Sequence, residues 1–164
     1  MNNDTLVSAL HDVLGERILG LSTALGQVTV EISADCHHVV CERLRDDPRL
    51  GFEVMIDLCG IDYSTYGNTE WDAPRFAVVM QLLSIQHNIR MRLRSFCMDD
   101  ESPVIESVTD LWPCANWFER EAFDFVVVQN FVFVQTVGNH VIQLAGNIDA
   151  RAVGQVAAVG KAHA

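Results

Sequence analysis

The chain has 164 residues, twice as many acidic side chains (22) as Lys plus Arg (11), and a net charge of −11. With 49% hydrophobic residues over that length, it is long enough and apolar enough for one domain with a real core, which excludes a disordered chain. The acid excess argues against free nucleic acid and anionic lipid head groups as partners, because both are bound through clustered Lys and Arg, but it leaves a basic protein partner open.

The opening "MNNDTLVSALHDVLGERILG" carries acids early and no basic region ahead of its apolar residues, which argues against a secretory signal or an Arg-rich transit peptide. No run approaches the roughly 20 apolar residues that span a bilayer. Five cysteines (Cys36, Cys41, Cys59, Cys97 and Cys114) are odd in number and without C-x-x-C spacing, so the expectation is reduced thiols in a cytosolic setting.

From Thr5 to Leu25 the apolar residues Leu6, Ala9, Leu10, Val13, Leu14, Ile18 and Leu21 keep helical spacing, predicting an amphipathic helix bent near Gly15. "GQVTVEIS" alternates Val28, Val30 and Ile32 against polar residues and predicts a half-buried strand. A second helix is expected over Cys36–Arg45 with Asp35 as its N-cap, ended by Pro48 and Gly51. Strands are expected over 52–62, 76–86 and 88–97, the last two joined by a short turn as an antiparallel hairpin. Near the end of this region Ser107 with Asp110, and Asn116 with Glu119, have capping-box spacing on either side of Pro113, predicting two short helices and a corner. The sum is a single α+β domain: a four-stranded mixed or antiparallel sheet with helices packed on one face, followed by a divergent C-terminal tail.

Three groups of residues carry candidate chemistry. Glu119, Glu121 and Asp124 could supply an acid–base pair, the hydrolase alternative, but no nucleophile or second carboxylate pair is offered elsewhere, and Arg120 with Asp124 has the spacing of a helical ion pair. In "DCHHVVC", His37 and Cys41 fall four apart, yet a tetrahedral metal site needs two more ligands; the plainer expectation is Cys41 half-buried with the histidines toward solvent. Arg90, Arg92 and Arg94 form a basic row on one strand face, either a solvated face or a dock for an acidic partner. No glycine-rich phosphate loop and no cysteine cluster is present, so no metal or cofactor is expected in this chain.

The segments "FEVMIDLCGIDY", "RFAVVMQLLS", "NIRMRLR" and "SPVIESVTDLWPCANWFEREAFD", in that order, resemble the C-type subunit of bacterial NADH–quinone oxidoreductase, respiratory complex I, the 30 kDa-subunit family. The likeness covers about residues 6–124, and its most specific piece is the string from Trp112 to Glu121. The resemblance implies an accessory scaffold subunit of the peripheral arm, at the cytoplasmic face of the bacterial inner membrane. It implies a docking role toward the quinone-site (D-type) partner and other peripheral-arm subunits, with no flavin, cluster or metal of its own. It also implies that Trp112, Pro113, Asn116, Trp117, Glu119, Arg120, Glu121 and Asp124 form a structured corner against that partner. A membrane-bound hydrogenase-type assembly is the alternative setting, and a non-functional truncated copy a further one.

The resemblance ends near Asp124, dividing the chain into a body (1–124) and a tail (125–164). The family continues with a Gly-His-Pro triplet and a basic, proline-containing end. Here only Asp149, Arg151 and Lys161 are charged after Phe125, and Phe133 stands where the family has His or Lys. Either the tail is out of frame, or it is a genuine divergence in which "VFVQTVGNHVIQL" makes a hairpin about Gly138-Asn139.

Overall fold

Asn2 starts the first helix, α1 (Asn3–Leu14): its side-chain oxygen accepts from the Thr5 N–H at 2.8 Å, satisfying one of the amides that a helix start leaves open. The structure is a computed structural model that describes residues 1–65, 72–101, 103–126, 132–137 and 140–145. Leu6, Ala9, Leu10, Val13 and Leu14 of α1 are buried as their spacing requires.

The helix then ends earlier than its apolar pattern suggests. Gly15 takes φ +56°, a left-handed value that suits glycine, and a 3₁₀ turn over Gly15–Arg17 follows. Beyond it, Gly20–Ala24 is not helix but strand β1, paired antiparallel with β2 (Gln27–Ser33) across the two-residue turn Leu25-Gly26. Ile18 and Leu21 keep a helical spacing, but the left-handed Gly15 has already ended the helix, and pairing with β2 makes Gly20–Ala24 a strand. The sheet therefore has five strands rather than four.

Ser33, not Asp35, caps the next turn, accepting from the Asp35 N–H; a 3₁₀ turn over Ala34–Cys36 leads into α2 (His37–Asp46). Strands β3 (Val54–Asp62), β4 (Phe76–Ser84) and β5 (Ile89–Cys97) follow, with β4 and β5 antiparallel as their hairpin spacing predicts. The order across the sheet is β1-β2-β5-β4-β3, and β2 lies parallel to β5, so the sheet is mixed.

Register fixes which side chains share a face. Val28, Val30 and Ile32 sit beside Met91, Leu93 and Ser95, which sit beside Leu82, Met80 and Val78; all are buried. With Leu6, Leu10 and Leu14 of α1 and Val40, Cys41 and Leu44 of α2 they form one core, so both helices cover this face. Each such Leu, Ile or Val contributes about 1.5–3 kcal/mol relative to exposure. The other face carries Arg90, Arg92 and Arg94 and a small cluster of Tyr63, Ala77 and Phe96 packed by Ile61.

After β6 (Val104–Glu106) the chain makes one turn and one helix, α3 (Ala115–Val126), in place of two short helices. Two tail strands, β7 (Val132–Val137) and β8 (His140–Ala145), pair antiparallel, in line with the alternation in the sequence. The turn expected at Gly138-Asn139 between them lies outside the described residues. Strand β7 runs parallel to β6, with Phe133 opposite Ile105 and buried in the main core.

Candidate partner-binding corner

The stretch from Ser107 to Glu121 is held by one buried carboxylate. Glu119, 2% exposed on α3, accepts from the Ser107 hydroxyl at 2.8 Å and from the Val108 N–H at 2.9 Å. Capping-box spacing points it toward Asn116, but Asn116 is already inside α3, so the carboxylate instead reaches back to the preceding turn. There the N–H groups of Leu111 and Trp112 both bond to the Val108 carbonyl, and the Ala115 N–H bonds to the Trp112 carbonyl. Glu119 thus clasps the helix to the turn. Burial pushes its pKa up to about 7, opposed by the Val108 amide and the Ser107 hydroxyl and assisted by the nearby Asp110 carboxylate.

The eight corner residues do not stand together on one surface. Trp112 is 3% exposed and packs in the core with Val108, Leu111 and Ala115; its indole N–H has no hydrogen-bond partner among the described residues. Its bulk serves folding, which corrects the expectation that it faces a partner. Glu119 is likewise internal. Trp117, five residues on, is 72% exposed. Pro113, Asn116, Arg120 and Glu121 are exposed beside it, and the Arg120 guanidinium donates to the Asn116 side chain at 3.3 Å. The Asp124 side chain, and with it the expected Arg120–Asp124 pair, lies outside the described residues.

Helix α3 packs along the edge strand β3, where the Cys114 thiol meets the Met55 carbonyl at 3.8 Å. The pairing of β3 with β4 shifts between Met55 and Asp57, which leaves Ile56 as a bulge with its side chain 41% exposed. No residue pattern in the sequence marks that bulge; it exists because β3 has one residue more than β4 over the same span.

The His37 and Cys41 expectation also needs correction. Both are buried, not turned to solvent or half-buried. His37 Nδ1 lies 2.7 Å from the Ser95 hydroxyl, and Cys41 Sγ lies 3.9 Å from both His37 Nε2 and Met80 Sδ. Burial lowers the His37 pKa from 6.5 to about 3 and raises that of Cys41 well above the usual thiol range. His38, by contrast, reaches out to Asp110 at 2.9 Å and ties α2 to the corner turn. Arg45 adds a second tie by donating to the Leu111 carbonyl at 3.0 Å. On the open sheet face Arg94 pairs with Glu31 at 2.9 Å, so the arginine row is partly neutralised within the chain. Among the described residues, no three His, Cys, Asp or Glu side chains gather as a metal site would require.

Together these features define an α+β domain with helices on one face and a corner that buries Trp112 and turns Trp117 outward. The respiratory-chain NADH dehydrogenase 30 kDa subunit family matches residues 30–130. The C-type subunit of NADH-quinone oxidoreductase from Cupriavidus taiwanensis is 53% identical over 122 residues, covering 74% of this chain and 61% of that protein. Its counterpart from Burkholderia vietnamiensis is 50% identical over 121 residues, covering 74% of this chain and 60% of that one. Among solved structures, the trypsin-resistant fragment (1–134) of Nqo5 superposes with a TM-score of 0.60 at 27% identity, covering 76% of this chain and 93% of the fragment. A chain of the membrane-bound sulfane sulfur reductase, an archaeal respiratory complex, shares the fold at 14% identity and a TM-score of 0.57, covering 74% of this chain and 66% of that one. The chain belongs to the respiratory-chain NADH dehydrogenase 30 kDa subunit family. It spans about three fifths of the length of the curated relatives it matches.

Proposed function

We propose that the chain is a scaffold subunit of the peripheral arm of a proton-translocating NADH–quinone oxidoreductase, at the cytoplasmic face of a bacterial inner membrane. In this reading it holds no redox centre and docks the quinone-site partner through the outer side of the corner. The observation that carries the proposal is Trp117, 72% exposed on a helix whose other side is anchored in the core. Large rigid aromatics of this kind anchor interfaces at low entropic cost, and one that serves as a hot spot costs a complex about 2 kcal/mol or more when removed. Pro113, Asn116, Arg120 and Glu121 supply a polar rim, and Glu119 and Trp112 hold the helix at its angle.

Expression in a Cupriavidus taiwanensis strain lacking its own 30 kDa-family subunit tests this. The expected result is that the chain is recovered with the membrane-attached arm, and that Trp117→Ser lowers recovery without lowering the Tm of the free chain. Unchanged recovery of the variant would remove Trp117 from the interface.

The tail offers Arg151 and Lys161 as its only Lys or Arg residues and contains no proline, so in this reading it does not replace the family's basic extended end. Exchanging residues 125–164 for a relative's C-terminal segment is expected to raise recovery in the same strain. Equal recovery of the native chain and the exchanged chain would show the divergent tail to be functional.

A further inference from the structure

The turn between β1 and β2 places a leucine where glycine or asparagine is favoured. Leu25 has φ +51° and Gly26 φ +78°, the two positive values that a two-residue hairpin turn of this type requires. A bulky aliphatic residue carries a steric cost at such a φ, and packing does not offset it here, because the Leu25 side chain is fully exposed. Ile85, at the β4–β5 turn, is 64% exposed and lines the same depression as Leu25. That depression, of about 590 Å³, lies where the β1–β2 and β4–β5 turns meet the start of α1, and is also lined by Met1, Asn3, Gln27, Leu83 and Arg90.

Its charge is as informative as its apolar rim. Among the described residues no carboxylate lines it, in a chain with 22 acidic residues against 11 basic ones. The Glu53 carboxylate, bonded at the β4–β5 turn, is already accepting from the Ile85 and Gln86 amides. Arg90 is exposed at the rim, and among the described residues it has no ion-pair partner. Gln27 is bound to Gln81 at 2.9 Å and the Asn3 side chain to the Gly26 carbonyl at 3.0 Å, so the walls are set before anything arrives.

We propose that this depression is a second docking site, separate from the Trp117 corner, which takes an apolar side chain flanked by a carboxylate from a neighbouring subunit of the same assembly. The apolar group would seat between Leu25 and Ile85, and the carboxylate would pair with Arg90. The site is lined by the β1–β2 and β4–β5 turns and the start of α1, whereas α3 packs along the edge strand β3, so the two sites share no residue. The identity of the partner rests on the assembly reading above.

Leu25→Asn discriminates, because Asn followed by Gly26 is the pair preferred in such turns. A residue kept for folding should lower stability when replaced; here the Tm of the free chain should stay level or rise. Affinity for the peripheral arm prepared from the deletion strain should instead fall about tenfold. Arg90→Glu should weaken the same association, more strongly at low ionic strength than at high. Wild-type affinity in both variants would overturn the second site and leave the corner reading standing. Failure of the unaltered chain to bind the arm at all would overturn both. Leu25-dependent binding to phosphatidylglycerol vesicles, or Leu25-dependent self-association of the free chain, would assign the patch to lipid or to a second copy and overturn the proposal.

Discussion

Trp112 and Trp117 are five residues apart on one continuous turn and helix, yet one is 3% exposed and the other 72%. The inner side of the corner comprises Trp112, Ala115, Glu119 and Ala122, all buried; the outer side comprises Pro113, Asn116, Trp117, Arg120 and Glu121. The first set is spaced to face the core from a helix and the turn before it, the second to face away. One conspicuous motif thus serves two purposes: half of it builds a rigid element, and the other half is displayed on it.

The strongest test of that division is Trp112→Ala. Removing a buried indole should cost about 3–5 kcal/mol and lower the Tm of the free chain substantially, read by thermal or urea unfolding. Trp112→Phe should cost far less, since it also removes a buried N–H that has no partner among the described residues. If the two variants melted alike, the inner role of this position would be wrong.

Next in size is Glu119→Ala, which strips the buried Val108 amide and Ser107 hydroxyl of their acceptor and should cost about 1–3 kcal/mol. Its pH dependence has a definite sign. A carboxyl raised from 4.5 to about 7 in the folded chain gives stability that is fully present below 4.5 and is lost as pH rises through 7. His37 works in the opposite direction: depressed from 6.5 to about 3, it makes the folded chain lose stability as pH falls below 6.5. The two slopes oppose each other between pH 4.5 and 6.5. Glu119→Gln should therefore leave a steeper acid loss in that window than the unaltered chain shows, and an unchanged slope would refute the assignment.

On the outer side, Trp117→Ser should change free-chain stability by no more than about 0.5 kcal/mol, measured by urea unfolding. A large loss there would collapse the distinction between the two tryptophans. The smallest effect is expected remote from the corner, at the Asp62–Arg75 pair that closes the base of the β3–β4 connection at 2.8 Å. The Arg75 guanidinium holds Asp62 down to about 2, so its contribution is present above pH 3.8 and fades as pH falls through 2. Asp62→Asn should lower the Tm only slightly at neutral pH, since the pair is partly exposed and screened, and should converge on the unaltered chain as pH falls below 2.

The regular parts were legible in the local residue pattern. The period of α1, the alternation of β2 and β5, and the short β4–β5 turn each specify an element whose apolar side can be buried in only one way. Two alternating runs on either side of Gly138-Asn139 likewise marked the paired tail strands. The family resemblance of the Trp112–Glu121 string was also legible from the residues alone, and the match to the 30 kDa subunit family and to relatives 53% identical agrees with it.

Packing settled the rest, wherever a local pattern was compatible with two outcomes. Gly20–Ala24 became a strand because β2 offered a free edge beside it, and five residues with Leu21 and Ala24 as their apolar side chains are too few to distinguish helix from strand without that partner. His37 went inward because Ser95, 58 residues away in sequence, supplies a hydrogen bond that makes a buried neutral imidazole tolerable. Glu119 became a clasp because the Val108 amide stood open across the turn, which capping-box spacing does not reveal. The two tryptophans parted for the same reason: residue type gave both an equal claim to burial, and the packing of α3 placed Trp112 with Ala115 and Ala122 in the core and Trp117 on the outer side.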